Sequence, residues 1–259
     1  FLSKSLALQV ICAIVFLVAY TIYAASSVKA CGTLFHTVIG MDPQIAMYLA
    51  AVVIVGYTFL GGFSAVCWTD FFQGMLVLGS MFIAPIFAAF MLDTSSISAL
   101  PGGYLNPFSS WQDIVSGLAW GLGYFGMPHI IIRFMSIKSQ KDLKKSAKIG
   151  ITWTLLIVFF ATLIGVIGRL FLGFDESINE NSLVFIQIVR KIFPGVISGI
   201  LLSAVLAASM STADSQLLAA SSAFSSDVYK PVIRKGKASD KEMMWTGRIV
   251  VLGIAVAAL

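Results

Sequence analysis

The sequence predicts an all-α polytopic membrane protein, and three observations predict it. Hydrophobic residues make up 58% of the chain and charged residues only 11%, against roughly a quarter charged in soluble domains. The mean hydropathy is +0.93. Apolar runs long enough to cross the ~30 Å hydrocarbon layer recur along the whole chain. A large soluble core is excluded, because it would need a polar surface that this composition does not supply.

Seven apolar spans are expected, at about 5–30, 45–63, 71–92, 112–135, 149–172, 195–225 and 246–259, in a single transmembrane domain over 1–259. The first span follows Lys4. The second opens after MDPQ (41–44), where Asp then Pro is a helix-start signal. Gly61 and Gly62 close it, a short turn follows, and Asp70 opens the third. LPGGYLNPFSS (100–110) is a Pro/Gly/Ser loop before the fourth span, and FPG (193–195) resets the chain before the sixth. The last span is too short to cross alone. With Phe1 as the first residue, a longer protein is expected around this chain.

Charge orients the spans. The segments 133–148 and 230–248 are strongly basic and are expected on the cytoplasmic side, while GFDESINENS (173–182) is acidic and expected outside. Alternating spans satisfy all three, with Lys29, Arg190 and Lys191 as interfacial exceptions. The net charge of +5 therefore reads as topology, and no nucleic-acid partner is expected. Cys12, Cys31 and Cys67 lack metal or redox spacing and read as small apolar helix residues. No internal repeat is visible by identity, although inverted-topology repeats are weak at that level.

Three stretches carry candidate chemistry. GLAWGLGYFGMPH (117–129) packs four glycines and Pro128 into thirteen residues. Pro128 lacks an N–H, and the glycines loosen the turns before it. A helix broken within lipid must find partners for its freed backbone, so a break implies a cavity or bound group. Trp120, Tyr124 and Pro128, spaced by four, would share one face. The plainer reading is a kinked packing helix, with Gly117 and Gly121 as a GxxxG contact.

The second stretch, 203–230, is rich in small and hydroxylated residues. The Ala208 carbonyl with the Ser211 and Thr212 hydroxyls makes an oxygen patch suited to a hard cation. Alternatively, those hydroxyls bond back to their own helix. Asp214 is an ionisable group within a span and a functional candidate for that reason. The third stretch holds Asp70, which either complements a helix N-terminus or serves an ion path. His36 is expected in an outer loop. No HExxH, phosphate loop or GxSxG is present, so neither an enzyme nor an organic cofactor is expected.

AWGLGYFGMPHIIIRFM (119–135), YTFLGGFSAVCWTD (57–70) and GILLSAVLAASMSTADSQLLAASSAFSSDVYK (199–230) together resemble the sodium:solute symporter family, most closely its proline-transporting branch. The resemblance runs in order over nearly the whole chain. It implies a fragment of a five-plus-five inverted-repeat transporter fold with discontinuous core helices. The fragment would hold three helices of the first repeat and four of the second. It implies sodium-coupled symport of proline into the cell across the plasma membrane by alternating access. Ala208, Ser211 and Thr212 become sodium ligands; Trp120, Tyr124, Pro128 and Tyr23 line the substrate pocket; Asp70 handles ions on the cytoplasmic side. Met127 stands where the family pattern has Gln, and Ser215 where it has Cys. Alternatives are a symporter of the same family for another small solute such as pantothenate, or a transporter-like sensor domain of a signalling protein.

Overall fold

The computed structural model describes residues 5–92, 106, 108, 110–124, 126–173 and 183–259. Among them every regular element is a helix: α1 (Leu6–Ile39), α2 (Pro43–Phe90), α3 (Trp111–Tyr124), α4 (Pro128–Met135), α5 (Gln140–Leu172), α6 (Val184–Ile192), α7 (Gly195–Ala223), a π-helical continuation (Phe224–Ile233) and α8 (Asp240–Ala258). Five helical stretches are long and apolar enough to cross a membrane: Leu6–Ile39, Pro43–Phe90, Trp111–Met135, Gln140–Leu172 and Gly195–Ile233.

Helix starts follow the expected cap chemistry. Asp42 accepts from the backbone N–H groups of Gln44 (2.9 Å) and Ile45 (3.2 Å), with Pro43 as the first helical residue. Ser139 accepts from Asp142 N–H at 3.1 Å and Ser239 from Glu242 N–H at 3.3 Å, capping α5 and α8. Such a side chain satisfies one N–H that the helix itself leaves without a partner.

The second and third spans of the sequence reading form one element of 48 residues. Straight, it would reach about 72 Å, more than twice the hydrocarbon thickness. It is not straight. Gly62 sits at φ 57°, ψ −153°, a conformation that only glycine adopts readily, and it divides α2 into two segments. No loop separates them. Asp70 consequently does not open the second segment, as expected, but lies about two turns into it.

Other boundaries moved for equally local reasons. His36 belongs to the last turn of α1, with Nδ1 3.1 Å from the Met41 carbonyl, and not to a loop. Most of the basic segment 230–248 is helical, with only 234–239 between the π segment and α8. Arg234 Nε lies 2.7 Å from Glu242, and the Tyr229 hydroxyl donates to the same carboxylate at 2.6 Å. The Tyr229 hydrogen bond, followed by the Arg234 charge, holds the Glu242 carboxyl below its ordinary value. A short helix unforeseen in the sequence, α6, lies between the fifth and sixth spans, and all four of its buried residues are aliphatic.

The chain divides into two compact units, residues 1–76 with 203–259, and residues 77–202. In the first, α1 packs against the π segment and α8. Gln9 donates to Asp227 across that contact at 2.8 Å. Gly32 allows α1 to approach the start of α2: a Cβ there would meet the Pro43 carbonyl at 2.9 Å. In the second unit, α5 packs on α6 around Ala88, Ile164, Val184 and Ile188. The Ser198 hydroxyl donates to the Phe193 carbonyl at 2.8 Å, closing the FPG corner.

Candidate functional site

The Ser211 and Thr212 hydroxyls of α7 take the alternative reading of their spacing and bond back to their own helix. Thr212 Oγ1 donates to the Ala208 carbonyl at 2.8 Å and Ser211 Oγ to the same carbonyl at 3.1 Å. The hydroxyl protons are thus turned toward their own helix. Each hydroxyl keeps lone pairs, and the carbonyl has a second one. Three neutral oxygens gathered in one turn, without sulfur, suit a hard monovalent cation as part of a larger ligand set.

Immediately beyond this patch the helix turns inward. Asp214 is 0% exposed, and the Tyr57 hydroxyl of α2 donates to its Oδ2 at 2.6 Å. That is a short hydrogen bond and it ties α2 to α7. Ser215 has one hydroxyl proton and two acceptors within reach, Asp214 Oδ1 at 3.2 Å and Asp70 Oδ2 at 3.5 Å. Two carboxylates from different helices thus lie on either side of one hydroxyl, which donates to one of them at a time. Next in sequence, Gln216 is also 0% exposed, and neither its carbonyl oxygen nor its amide nitrogen has a hydrogen-bond partner.

Asp70, Asp214 and the Ala208 patch thus belong to one unit, and Tyr57 completes the cluster. Tyr57 was not legible as a functional residue. Its partner lies 157 residues away in sequence, and no local pattern joins them; its place within an apolar span beside the GG motif was the available signal. Tyr23 lies on α1 in the same unit and is exposed, and its carbonyl accepts from the Ser27 hydroxyl at 3.3 Å.

Trp120, Tyr124 and Pro128 belong to the other unit. The break in 117–129 is present: α3 ends at Tyr124 and α4 begins at Pro128, with Pro128 at the first turn of the new helix. A single face shared by all three residues does not exist, because Pro128 starts a separate helix. Trp120 is 63% and Tyr124 50% exposed, and α3 buries no residue. Within this chain a Cβ on Gly117, Gly121 or Gly123 would meet nothing within 4 Å. Among the described residues no group of three or more His, Cys, Asp or Glu side chains is arranged to hold a metal.

Comparison with known proteins identifies the family. The model of the sodium:solute symporter family matches residues 1–259. The high-affinity proline transporter PutP of Bacillus subtilis is 40% identical over 97% of this chain and 55% of its own length. The osmoregulated proline transporter OpuE of the same organism is 39% identical over 100% of this chain and 54% of its own. A sodium/proline symporter of Staphylococcus aureus is 38% identical over 99% of this chain and 52% of its own. The chain therefore spans about half the length of the curated relatives it matches. A solved structure of a Na+-coupled sialic acid symporter, in a substrate-bound outward-open state and described as revealing a novel Na+ site, is similar with a TM-score of 0.81. That likeness, at 19% identity, covers 95% of this chain and 56% of the other, and it shows the fold. Multi-pass helices, a split α2, a broken α3–α4 pair and an oxygen-lined α7 are thus half of a five-plus-five inverted-repeat architecture, and the chain belongs to the sodium:solute symporter family.

Proposed function

We propose that the protein containing this chain moves L-proline into the cell across the plasma membrane by sodium-coupled symport. The observation that carries this reading is the neutral oxygen patch of α7 beside the fully buried Asp214, with Asp70 of α2 within reach of the neighbouring Ser215. Sodium binds at Ala208, Ser211 and Thr212, with further ligands from elements outside this chain. Asp214 and Asp70 then give it a charged route onward. The names of the relatives support proline as solute.

The α3–α4 break supplies the substrate side. The N-terminus of α4 favours a carboxylate, and freed carbonyls at the end of α3 favour a cation. Trp120 and Tyr124 offer apolar faces to a pyrrolidine ring and cation–π attraction to its ammonium. Their exposure fits residues that await a ligand and further helices. Tyr23 is assigned to the same substrate cavity. Sodium and proline stabilise the same conformation, and each raises the affinity for the other by reciprocal linkage.

The driving force is sufficient. One charge crossing ~100 mV releases ~2.3 kcal/mol, and a tenfold sodium gradient adds ~1.4 kcal/mol. The test is uptake of labelled proline into proteoliposomes with and without an inward sodium gradient. Uptake that requires the gradient and collapses with a sodium ionophore is expected. Sodium-driven uptake of another small carboxylate in place of proline would reassign the solute; no uptake of any solute would overturn transport itself.

A further inference from the structure

The first unit contains a second polar cavity, of about 380 Å³, between α2, the end of α7 with its π continuation, and α8. Its volume lies within the range of small-molecule sites. Thr58, Gly62, Ser222, Ser226, Met244 and Arg248 are among the residues that line it.

Several polar groups of this cavity keep donors that the chain leaves unused. Arg248 is held from two sides, its guanidinium carbon 5.1 Å from the Trp245 ring centroid and 5.5 Å from that of Phe59. One of its five N–H groups reaches the Leu60 carbonyl at 3.4 Å. Among the described residues no carboxylate pairs with it, and no Asp or Glu lines the cavity. Thr58 is 2% exposed, and its hydroxyl has no hydrogen-bond partner. A buried hydroxyl left alone is costly unless something arrives to meet it. Ser221 and Ser225 donate to carbonyls of their own helix, Leu218 at 3.0 Å and Ser221 at 2.8 Å. Ser222 and Ser226 make no such bond. Gly62 adds the break in α2, beyond which the N–H groups of the new segment lack intrahelical acceptors.

We propose that this cavity binds a small carboxylate anion, gripped by the Arg248 guanidinium and hydrogen-bonded by Thr58, Ser222 and Ser226. Arginine's planar fork matches a carboxylate in a bidentate contact. The aromatic pair of Phe59 and Trp245 fixes the fork in advance, which lowers the cost of ordering it on binding. The ligand is singly charged and compact, because among the described residues that line the cavity Arg248 is the only cation. The site makes no demand for sodium, and it stands whether or not proline is the transported solute.

The test is cysteine protection in the full-length protein, purified in detergent on a cysteine-free background carrying Met244→Cys. Alkylation by a maleimide is timed in potassium salts without sodium, in acetate and in the bulky 2-(N-morpholino)ethanesulfonate at equal ionic strength. Acetate is expected to slow the reaction several-fold in a saturable way, and the bulky anion is not. Arg248→Gln is expected to weaken the acetate effect by about tenfold or more, the loss for one charge-assisted hydrogen bond. Thr58→Val preserves side-chain shape and is expected to weaken it several-fold, so a poorly folded Arg248 variant does not spare the proposal. Equal slowing by both anions, no slowing by acetate, or unchanged protection in both variants overturns it. A second arm uses nanodiscs of phosphatidylcholine with or without phosphatidylglycerol. Occlusion by phosphatidylglycerol that acetate cannot relieve makes the occupant a lipid phosphate and also overturns the proposal.

Discussion

The carboxylate cluster on α2 and α7 and the α3–α4 break are opposite ways of making a polar site in an apolar chain. In the cluster, Asp214 is fully buried and held by Tyr57 at 2.6 Å, while Ser215 links it to Asp70. Its geometry is fixed by side chains from both helices before any ion arrives. At the break, Trp120 and Tyr124 are exposed, and within this chain a Cβ on Gly117, Gly121 or Gly123 would meet nothing within 4 Å. Its geometry is a property of the backbone, ending one helix and starting another. A preorganised cluster suits a small, hard ion whose ligand distances tolerate little error. A pliable break suits an organic solute that must enter and leave between conformations.

That contrast predicts where substitutions hurt most. Asp214→Asn keeps the shape and a hydrogen bond from Tyr57 but removes the charge. Loss of one buried charged ligand contact is worth ~1.5–3 kcal/mol, so the sodium concentration for half-maximal uptake is expected to rise about tenfold to a hundredfold. A sodium activation curve like wild type would make Asp214 a structural group and end the carboxylate route. Ser211→Ala with Thr212→Ala removes two neutral oxygens and leaves the Ala208 carbonyl. A rise of about tenfold is expected on the same curve, smaller because neutral contacts contribute only ~0.5–1.5 kcal/mol each. If the double variant proves more damaging than Asp214→Asn, the oxygen patch outranks the carboxylates.

Residues close in sequence were legible, and residues joined through space were not. The Ala208–Thr212 patch follows from spacing on one helix, and the break within 117–129 from glycine and proline chemistry. Both are local, so composition exposes them. The Tyr57–Asp214 bond is invisible because helix packing, not periodicity, selects partners that far apart. Arg248 and Thr58 were overlooked for the same reason: each looks ordinary in its own span, and only the cavity between three helices gives them a common purpose. The GG motif was read as a chain break, correctly in conformation at Gly62, but the helix resumes at once and carries Asp70 inward with it. The acidic stretch at 173–182 and the loop at 100–110 lie largely outside the described residues.

The smaller predictions concern the break. Trp120→Ala removes an aromatic face whose cation–π contribution is ~1 kcal/mol when partly desolvated. The proline concentration for half-maximal uptake is expected to rise about fivefold, with sodium activation unchanged. A shift in sodium activation alone would move Trp120 out of the substrate pocket and into coupling.

Gly121→Ala sharpens the comparison most finely. In a close helix contact an added methyl costs ~1–3 kcal/mol. At Gly121 the new Cβ meets nothing within 4 Å, and alanine is the better helix former by ~1 kcal/mol. If no helix outside this chain packs on Gly121, unfolding stability of the full-length protein stays within ~0.5 kcal/mol of wild type or rises slightly. Chemical or thermal unfolding in a fixed detergent measures it. A loss above ~1 kcal/mol would mean that Gly121 lies against another helix, because only a clash can outweigh the propensity gain. The glycines of 117–126 would then be packing devices, as in GxxxG contacts. The flexibility assigned to the break would have to come from Gly126 and Pro128 alone.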